Sequence, residues 1–372
     1  MIAPGRSADA VRRVLGSSAV RTGAGVGTGA GSSAAVAGAG AAAGAAAGAA
    51  AGVGVGVGVG VGVGVGVERQ VSTDQANLSV AVDERHLVKW FRDPIDRADL
   101  AVIEQLSHRG FEHMPAFLGA VEDDGRVVAV ISEFVDGATD GWQWYVTDVL
   151  GWIDGTVAVD ALVHTAARMG TITGALHMAL AGDVQRFGGL TALRLQIAQR
   201  REVAVGQTAG EAGDRLRARL RLIDHALAGL DAIGDVPVQR VHGDLHAGQF
   251  LRAGDRLLVT DFDGDPMTAS AERIVLQPVE VDVAGLVQSI DHVGRVAARR
   301  RPGADVTPFI VPAIEAALQA YRRDHDLDER LLFPLRVAQE LHEYAYAATR
   351  LPVWGYVPDA ATLALFPNAD EQ

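Results

Sequence analysis

Three polar side chains near the middle of the chain have the types and spacing that phosphoryl transfer requires. Asp244 lies five residues before Gln249, and Asp261 follows a short apolar run. Transfer of a phosphoryl group needs an acceptor for the hydroxyl proton and oxygen ligands for the Mg²⁺ that bridges the phosphates. The spacing therefore predicts that Asp244 is the catalytic base and that Gln249 and Asp261 are metal ligands.

The same layout occurs in protein kinases, which carry an Asp base, an amide metal ligand five residues later and a second Asp ligand. A hairpin turn at residues 253–256 would bring the second acid back to the loop. A lone His-Gly-Asp triplet would suit an ordinary turn equally well, and Asp261 could merely cap a strand. Two acids, an amide and a hairpin together favour catalysis. Asp263 is expected to assist the metal, and His242 to bond the backbone and hold the loop.

The preceding segment, residues 68–140, has the element order of a nucleotide-binding small lobe. Hydrophobic alternation and turn residues predict a strand, strand, helix, strand, strand order at 75–82, 85–91, 97–109, 116–122 and 126–134. A glycine-rich phosphate loop is missing from its expected place near residues 70–75. Ser72 and Thr73 could supply hydroxyl groups there instead.

Four residues of this lobe are candidates for nucleotide binding. Kinases use a strand lysine that contacts the phosphates and pairs with a helix glutamate. Lys89 and Glu104 hold those positions, although each could simply be a surface charge. Glu133 and Val135 would bracket the hinge, where backbone groups could bind an adenine edge. ATP is therefore the expected nucleotide.

The two flanking regions differ sharply in composition. Residues 141–372 show mostly helical periodicity and are predicted to form the large lobe. Residues 1–67 are rich in Gly, Ala and Val and are predicted to be disordered, with ordered structure starting near Glu68. A membrane span is disfavoured in this segment because it lacks Leu, Ile and Phe and is too rich in glycine for a stable helix.

Charge and cysteine content narrow the classes of function. The 372 residues include 33 basic and 46 acidic side chains, for a net charge of −13. Residues 1–67 carry four arginines and one aspartate, a charge of +3, which leaves −16 for the remainder. An acidic body argues against nucleic acid as a partner. The absence of cysteine from the sequence excludes disulfides and a Cys nucleophile and is consistent with a cytoplasmic protein.

The motifs around the predicted base resemble those of one family. The segments 241–249 and 260–266 are similar to the HGD-L-H-x-G-Q and D-F-[ED]-G-[ED]-P motifs of the aminoglycoside-phosphotransferase branch, and more narrowly of actinobacterial maltokinases and glucosamine kinases. The likeness spans residues 70–360 and includes Asp282 to Gly285. It implies an α+β, bilobal, protein-kinase-like fold with a β-rich small lobe and a mostly helical large lobe. Relatives carry a folded N-terminal cap, for which this sequence shows no counterpart.

The C-terminal region bears on the substrate. Gln339, His342 and Glu343 share one face of a predicted helix, and Trp354 and Tyr356 follow in an aromatic loop. Such a face suits a sugar: an aromatic ring can stack on it, and Glu343 could pair with an ammonium group. The pattern is similar to the C-terminus of glucosamine kinases. The alternatives are a solvated helix face and a tryptophan in the core.

These observations predict an ATP- and Mg²⁺-dependent sugar kinase that converts glucosamine to glucosamine 6-phosphate. Two alternatives remain in the same class, a maltokinase and an aminoglycoside phosphotransferase. A pseudokinase or binding module is the alternative in a different class. We expect a small-molecule sugar and ATP as partners, no nucleic acid or membrane, and a monomer.

Overall fold

The structure of the protein is a computed structural model. A five-stranded antiparallel sheet forms the framework of its small lobe. The structure describes residues 5–18, 66–73, 77–182, 186–265, 267 and 276–367. The sheet has the strand order β1-β2-β3-β5-β4. Its strands are β1 (Glu68–Thr73), β2 (Asn77–Val82), β3 (His86–Ile95), β4 (Phe117–Asp123) and β5 (Arg126–Glu133).

The alternation of residues along these strands gives the sheet two different faces. Val80, Val88 and Trp90 are buried on one face in an apolar cluster. Leu87 and Lys89, their neighbours on β3, line a pocket on the other face. Successive side chains of a strand point to opposite sides, so one strand supplies both the apolar cluster and the pocket.

Helix α1 (Arg6–Ser18) covers the apolar face of the sheet. Its residues Ala8, Ala10 and Val11 are buried there. The expectation that ordered structure begins near Glu68 is therefore wrong for this helix, whose polar and apolar residues alternate with helical periodicity ahead of the glycine-rich run. The rest of the predicted disordered segment, residues 19–65, lies outside the described residues.

The large lobe is mostly helical. Helix α2 (Ala101–His108) belongs to the small lobe. Within the described ranges, the helices of the large lobe are α3 (Gly141–Ile153), α4 (Val159–Leu180), α5 (Thr191–Gln207), α6 (Gly210–Ala218), α7 (Leu220–Ala228), α8 (Glu280–Arg300), α9 (Thr307–Tyr321), α10 (Glu329–Thr349) and α11 (Tyr356–Leu365). Two short hairpins interrupt them, β6 (Arg186–Gly188) with β7 (Val236–Val238), and β8 (Phe250–Ala253) with β9 (Arg256–Val259). The α+β, bilobal expectation is confirmed.

One continuous core joins helices α3, α4, α8 and α9 to the β8–β9 hairpin. Tyr145, Met169, Phe250 and Phe309 are fully buried in it. The hairpin therefore rests on the packed interior of the large lobe, and the polar residues at its ends are held by that packing. No helix in the described ranges has the length and hydropathy that a membrane span requires.

Most predicted elements of the small lobe agree with the structure, but strand β1 was not predicted. The predicted helix at 97–109 begins with a 3₁₀ turn, Arg97–Leu100, before α2. In the large lobe, which was predicted to be mostly helical, the segment 210–232 consists of α6, α7 and a further 3₁₀ turn. Helices α3 and α11 were not predicted; α3 is rich in aromatic residues, which gives it weak helical periodicity.

Candidate active site

The predicted base lies on a loop whose backbone is held from behind by a buried carboxylate. Asp282 of α8 accepts the N–H of His242 at 2.7 Å and the N–H of Gly243 at 2.9 Å. His242 in turn places Nε2 3.0 Å from the carbonyl oxygen of Thr260, to which it donates. The prediction that His242 bonds the backbone is confirmed, and the loop that precedes Asp244 is tied to both α8 and the strand that leads to Asp261.

Two glycines let helices approach this loop closely. A Cβ atom on Gly141 of α3 would lie 1.7 Å from the carbonyl oxygen of Ala247, and one on Gly285 of α8 would lie 2.5 Å from that of Leu245. Contacts this short are impossible for any side chain, so glycine is required at both positions. The backbone that carries Asp244 therefore fits between two helices.

Lys89 bridges the two carboxylates that follow β9. Its Nζ lies 2.7 Å from Oδ1 of Asp261 and 2.6 Å from Oδ2 of Asp263. Burial opposes the charged form, but the two carboxylates raise the pKa of Lys89 well above its usual value. Asp261 itself has a positive φ of 65°, a conformation that few residues other than glycine adopt. The small and large lobes are thus joined at the site by a charged triad.

Glu104, the predicted partner of Lys89, is bound elsewhere. Its carboxylate accepts a hydrogen bond from Arg97, seven residues earlier in the 3₁₀ turn. Arg97 also pairs with Glu122 of β4. The prediction of a Lys89–Glu104 pair is therefore wrong in this structure. Asp261 and Asp263 hold the lysine in its place.

The hinge residues make lobe-to-lobe contacts. Glu133 at the end of β5 accepts hydrogen bonds from Arg256 of β9 at 2.8 Å and 3.2 Å. Val135 is buried in a cluster with Ala138 and Leu251. Both side chains are engaged with the β8–β9 hairpin, so a role of this segment in adenine binding remains a prediction about its backbone.

A cavity of about 90 Å³ lies between the sheet and the catalytic hairpin. Its lining combines predicted nucleotide- and metal-binding residues with apolar residues and two serines. The lining includes Lys89, Gln249, Asp261 and Asp263, together with Ser79, Leu87, Ser132, Asp140, Leu251 and Phe262. Charged and apolar side chains therefore line the same cavity, as is usual for sites that bind a ligand with apolar and charged parts.

Gln249 and His246 are buried beside each other next to this cavity. The side-chain nitrogen of Gln249 lies 3.2 Å from Nε2 of His246, and Nδ1 of His246 accepts the N–H of Gly248 at 3.0 Å. Burial lowers the pKa of His246 to about 4, so the ring is neutral near pH 7. Because Nδ1 accepts, the neutral ring carries its one proton on Nε2, and it places no positive charge beside Gln249.

Asp244 lies among other carboxylates. Burial, followed by the charges of Asp265, Asp261 and Glu343, raises its pKa well above the ordinary value, and Arg200 opposes this. A raised pKa makes a carboxylate a better proton acceptor. Asp244 therefore lies within electrostatic reach of three other acids, Asp261, Asp265 and Glu343.

Two of these acids, Asp265 and Glu343, have different partners. Asp265 forms an ion pair with Arg200 of α5. Glu343 of α10 accepts hydrogen bonds from the indole N–H of Trp354 at 2.7 Å and the amide of Gln339 at 3.2 Å. Both of these donors are neutral. Among the described residues, no cation forms a direct hydrogen bond or ion pair with this buried carboxylate.

Three further residues, His342, Trp354 and Tyr356, were predicted to contact the sugar. His342 is buried, its Nδ1 has no hydrogen-bond partner among the described residues, and this atom lies 3.9 Å from Asp265. Trp354 is only 2% exposed, so the predicted stacking of a sugar on its ring is wrong, and its role is to hold Glu343. Tyr356 packs under the guanidinium of Arg299 at 5.4 Å.

Sequence reasoning missed several residues that the site uses. Arg200, Asp140 and Ser79 lie far from the motifs in sequence, and no spacing pattern connects them to Asp244. Asp282 belongs to one of the segments that carry the family resemblance, but its role in holding the loop was not predicted. Only the folded chain places these residues at the loop and the cavity.

The chain belongs to the phosphotransferase enzyme family, whose model matches residues 97–305. It is 37% identical to a glucosamine kinase of Streptacidiphilus jiangxiensis over 329 residues, which are 81% of this chain and 74% of that protein. It is 36% identical to a glucosamine kinase of Mycolicibacterium smegmatis (strain ATCC 700084 / mc(2)155), over 80% of this chain and 79% of that one.

Solved structures are also similar to this chain. A glucosamine kinase in complex with glucosamine, ADP and inorganic phosphate superposes with a TM-score of 0.72 at 36% identity, covering 81% of this chain and 76% of that one. A choline/ethanolamine kinase family protein from Mesorhizobium loti, at 16% identity and a TM-score of 0.50 over 81% of this chain and 88% of that one, shares the fold alone.

Proposed function

We propose that this protein is an ATP-dependent glucosamine kinase that produces glucosamine 6-phosphate. The observation that carries the choice of an amino sugar is Glu343, a buried carboxylate near Asp244 whose two described donors are neutral. A buried carboxylate without a direct ion pair is costly, and a substrate ammonium group would supply that pair. The likeness to two glucosamine kinases over most of the chain supports the same substrate.

In the proposed reaction, Asp244 accepts the proton of the attacking sugar hydroxyl. The hydroxyl oxygen then bonds to the γ-phosphorus of ATP as the bond from that phosphorus to the bridging oxygen breaks, and ADP leaves. Lys89 contacts the phosphates and balances their charge. Asp282 keeps the loop, and with it the base, in the orientation that this transfer needs.

The donor set at the cavity fits a hard divalent cation. Asp261, Asp263 and Gln249 offer carboxylate and amide oxygens, the ligands that Mg²⁺ prefers. These three residues would hold Mg²⁺, which when bound neutralises developing charge on the phosphates. Lys89 must exchange part of its contact with the two carboxylates when that ion and the nucleotide enter.

A substrate panel tests the proposal. Purified protein is assayed for ADP release from ATP and Mg²⁺ with glucosamine, maltose or kanamycin, and the Asp244→Asn variant serves as the blank. We expect turnover with glucosamine to exceed that with either other sugar. Preferred turnover of maltose or kanamycin would overturn the amino-sugar assignment, and nucleotide binding without turnover on any of them would indicate a binding module.

A further inference from the structure

His177 connects helix α4 to the carboxylate that holds the catalytic loop. Its Nε2 lies 3.0 Å from Oδ2 of Asp282, and its Nδ1 lies 2.8 Å from the hydroxyl oxygen of Tyr321 on α9. The three residues are at most 2% exposed. An ionised carboxylate only accepts, so Nε2–H donates to Asp282 and Nδ1 accepts the Tyr321 hydroxyl hydrogen.

The ring of His177 is held in this orientation by its neighbours. Tyr321 stacks on His325, with ring centroids 4.7 Å apart at an interplanar angle of 25°. His325 donates from Nε2 to the carbonyl oxygen of Gly174 at 2.8 Å, and Gln239 donates to that of His177 at 2.9 Å. A side chain fixed from several elements presents its proton to Asp282 in one direction.

We propose that His177 is a positioning residue that acts on Asp244 through Asp282. One oxygen of Asp282, Oδ2, accepts both from His177 and from the backbone N–H of His242, two residues before the base. Loss of the His177 donor would leave this buried oxygen with an unmet hydrogen bond. The carboxylate would then shift or take up a proton, and either change loosens its bonds to the loop.

This positioning role should be visible in the pH dependence of kcat, because it depends on the ionised form of Asp282. Burial acts to raise the pKa of Asp282, but the hydrogen bond from His177, the favourable electrostatic contributions of His177 and His242 and the Gly243 N–H bring it below the usual value. A carboxylate with a lowered pKa holds the loop above that pKa and releases it as the pH falls through it. Removing the His177 donor raises the pKa, so release begins at a higher pH.

Several other ionisable groups surround this network. Glu280 lies two residues before Asp282 on α8, and its pKa is raised, chiefly by burial. His325 lies behind Tyr321, and burial lowers its pKa. Asp324 and Asp328 lie beside these two groups. Replacing His177 also removes its electrostatic effect on Glu280 and His325. Glu280→Gln and His325→Gln variants therefore serve as controls, and a shift that persists in both backgrounds reports on Asp282.

Variants of His177 test the proposal. His177→Leu removes the donor, and His177→Gln keeps an amide N–H that can reach Asp282. We expect His177→Leu to lower kcat by about tenfold to a hundredfold, the effect of losing a hydrogen bond to a charged group, with each KM changed by less than about twofold. The acidic limb of its kcat profile should move to higher pH, and His177→Gln should restore much of kcat.

Two outcomes would overturn the proposal: a folded His177→Leu variant with unchanged kcat, or equal changes in kcat and KM with the acidic limb unmoved. If His177→Leu fails to fold, His177→Gln and Tyr321→Phe decide, because both should shift the limb slightly without changing KM. The assay rests on the proposed function, so wild-type protein is measured first. Inactivity of the wild type toward glucosamine counts against that function, and the variants are then compared on whichever sugar the wild type accepts.

Discussion

The ammonium nitrogen of Lys89 lies 2.7 Å from Oδ1 of Asp261, so a strand of the small lobe is bonded directly to the segment that follows β9. Asp263 is the second partner of the same nitrogen at 2.6 Å. This triad takes the place of the lysine–glutamate pair that kinase motifs led us to expect.

The first prediction concerns which acid supports Lys89 in catalysis. Lys89→Met and Asp263→Asn should each raise the KM for ATP by about tenfold or more, because each removes a charge-assisted contact at the cavity. Glu104→Gln is the matched control and should change that KM by less than about twofold, since its ion pair with Arg97 is largely exposed. A larger effect from Glu104→Gln than from Asp263→Asn would contradict this assignment.

The second prediction separates chemistry from nucleotide binding. Asp244→Asn keeps the size of the side chain but loses the proton acceptor, and should lower kcat by about a hundredfold to ten-thousandfold. The affinity for ADP, measured by calorimetry, should remain within about threefold of the wild type because Lys89 and the cavity are unchanged. Turnover near the wild-type rate would show that another group accepts the proton.

The third prediction concerns the amino group of the substrate. Glu343→Gln should raise the KM for glucosamine by about tenfold to a hundredfold through loss of a charge-assisted hydrogen bond. The KM for glucose, which lacks the ammonium group, should change far less. Gln339→Leu removes one neutral donor to Glu343 and provides the control, with a smaller effect on both sugars. Equal losses for the two sugars would argue against ammonium recognition.

The fourth prediction links stability to a buried histidine on α8. His292 donates from Nε2 to Glu340 at 2.9 Å, and although burial opposes its charged form, this carboxylate raises the pKa of His292 to about 9. A raised pKa contributes stability that is complete below the unfolded value of about 6.5 and is lost as the pH rises toward 9.

Urea unfolding over this pH range provides the measurement. The free energy of unfolding of the wild type should fall by an amount on the order of 3 kcal/mol as the pH passes from the unfolded to the folded pKa. His292→Gln should be less stable at neutral pH and show a flatter dependence. Parallel curves for the two proteins would mean that His292 is neutral in the fold.

The fifth prediction concerns the helix on the back of the sheet. The carboxylate of Glu68 accepts the N–H of Gly5 at 3.0 Å and that of Ala8 at 2.7 Å, so it caps the first turn of α1. Glu68→Ala should lower the free energy of unfolding by about 1 kcal/mol, the usual cost of a lost cap. Glu84→Ala, which breaks an exposed ion pair with Arg69, should cost less.

The sequence allowed the chemistry to be predicted more fully than the contacts. Asp244, Gln249 and Asp261 are close in the chain, and one loop and one hairpin relate them, so their spacing carries the information. The Lys89 pairing depends on competition between Glu104 and Asp263, and the outcome follows from Arg97 lying next to Glu104 in the fold. Trp354 looked like a loop residue, but the 3₁₀ turn Pro352–Trp354 packs it into the core.

The attachment of α1 has a practical consequence for anyone who shortens this protein. The glycine-rich run invites removal of everything before residue 66 from an expression clone. Such a clone would uncover Val80, Val88 and Trp90 and leave Glu68 without the two N–H groups it binds. An uncovered apolar sheet face promotes aggregation, so a trimmed clone should delete residues from the interior of the run and retain Gly5 to Ser18.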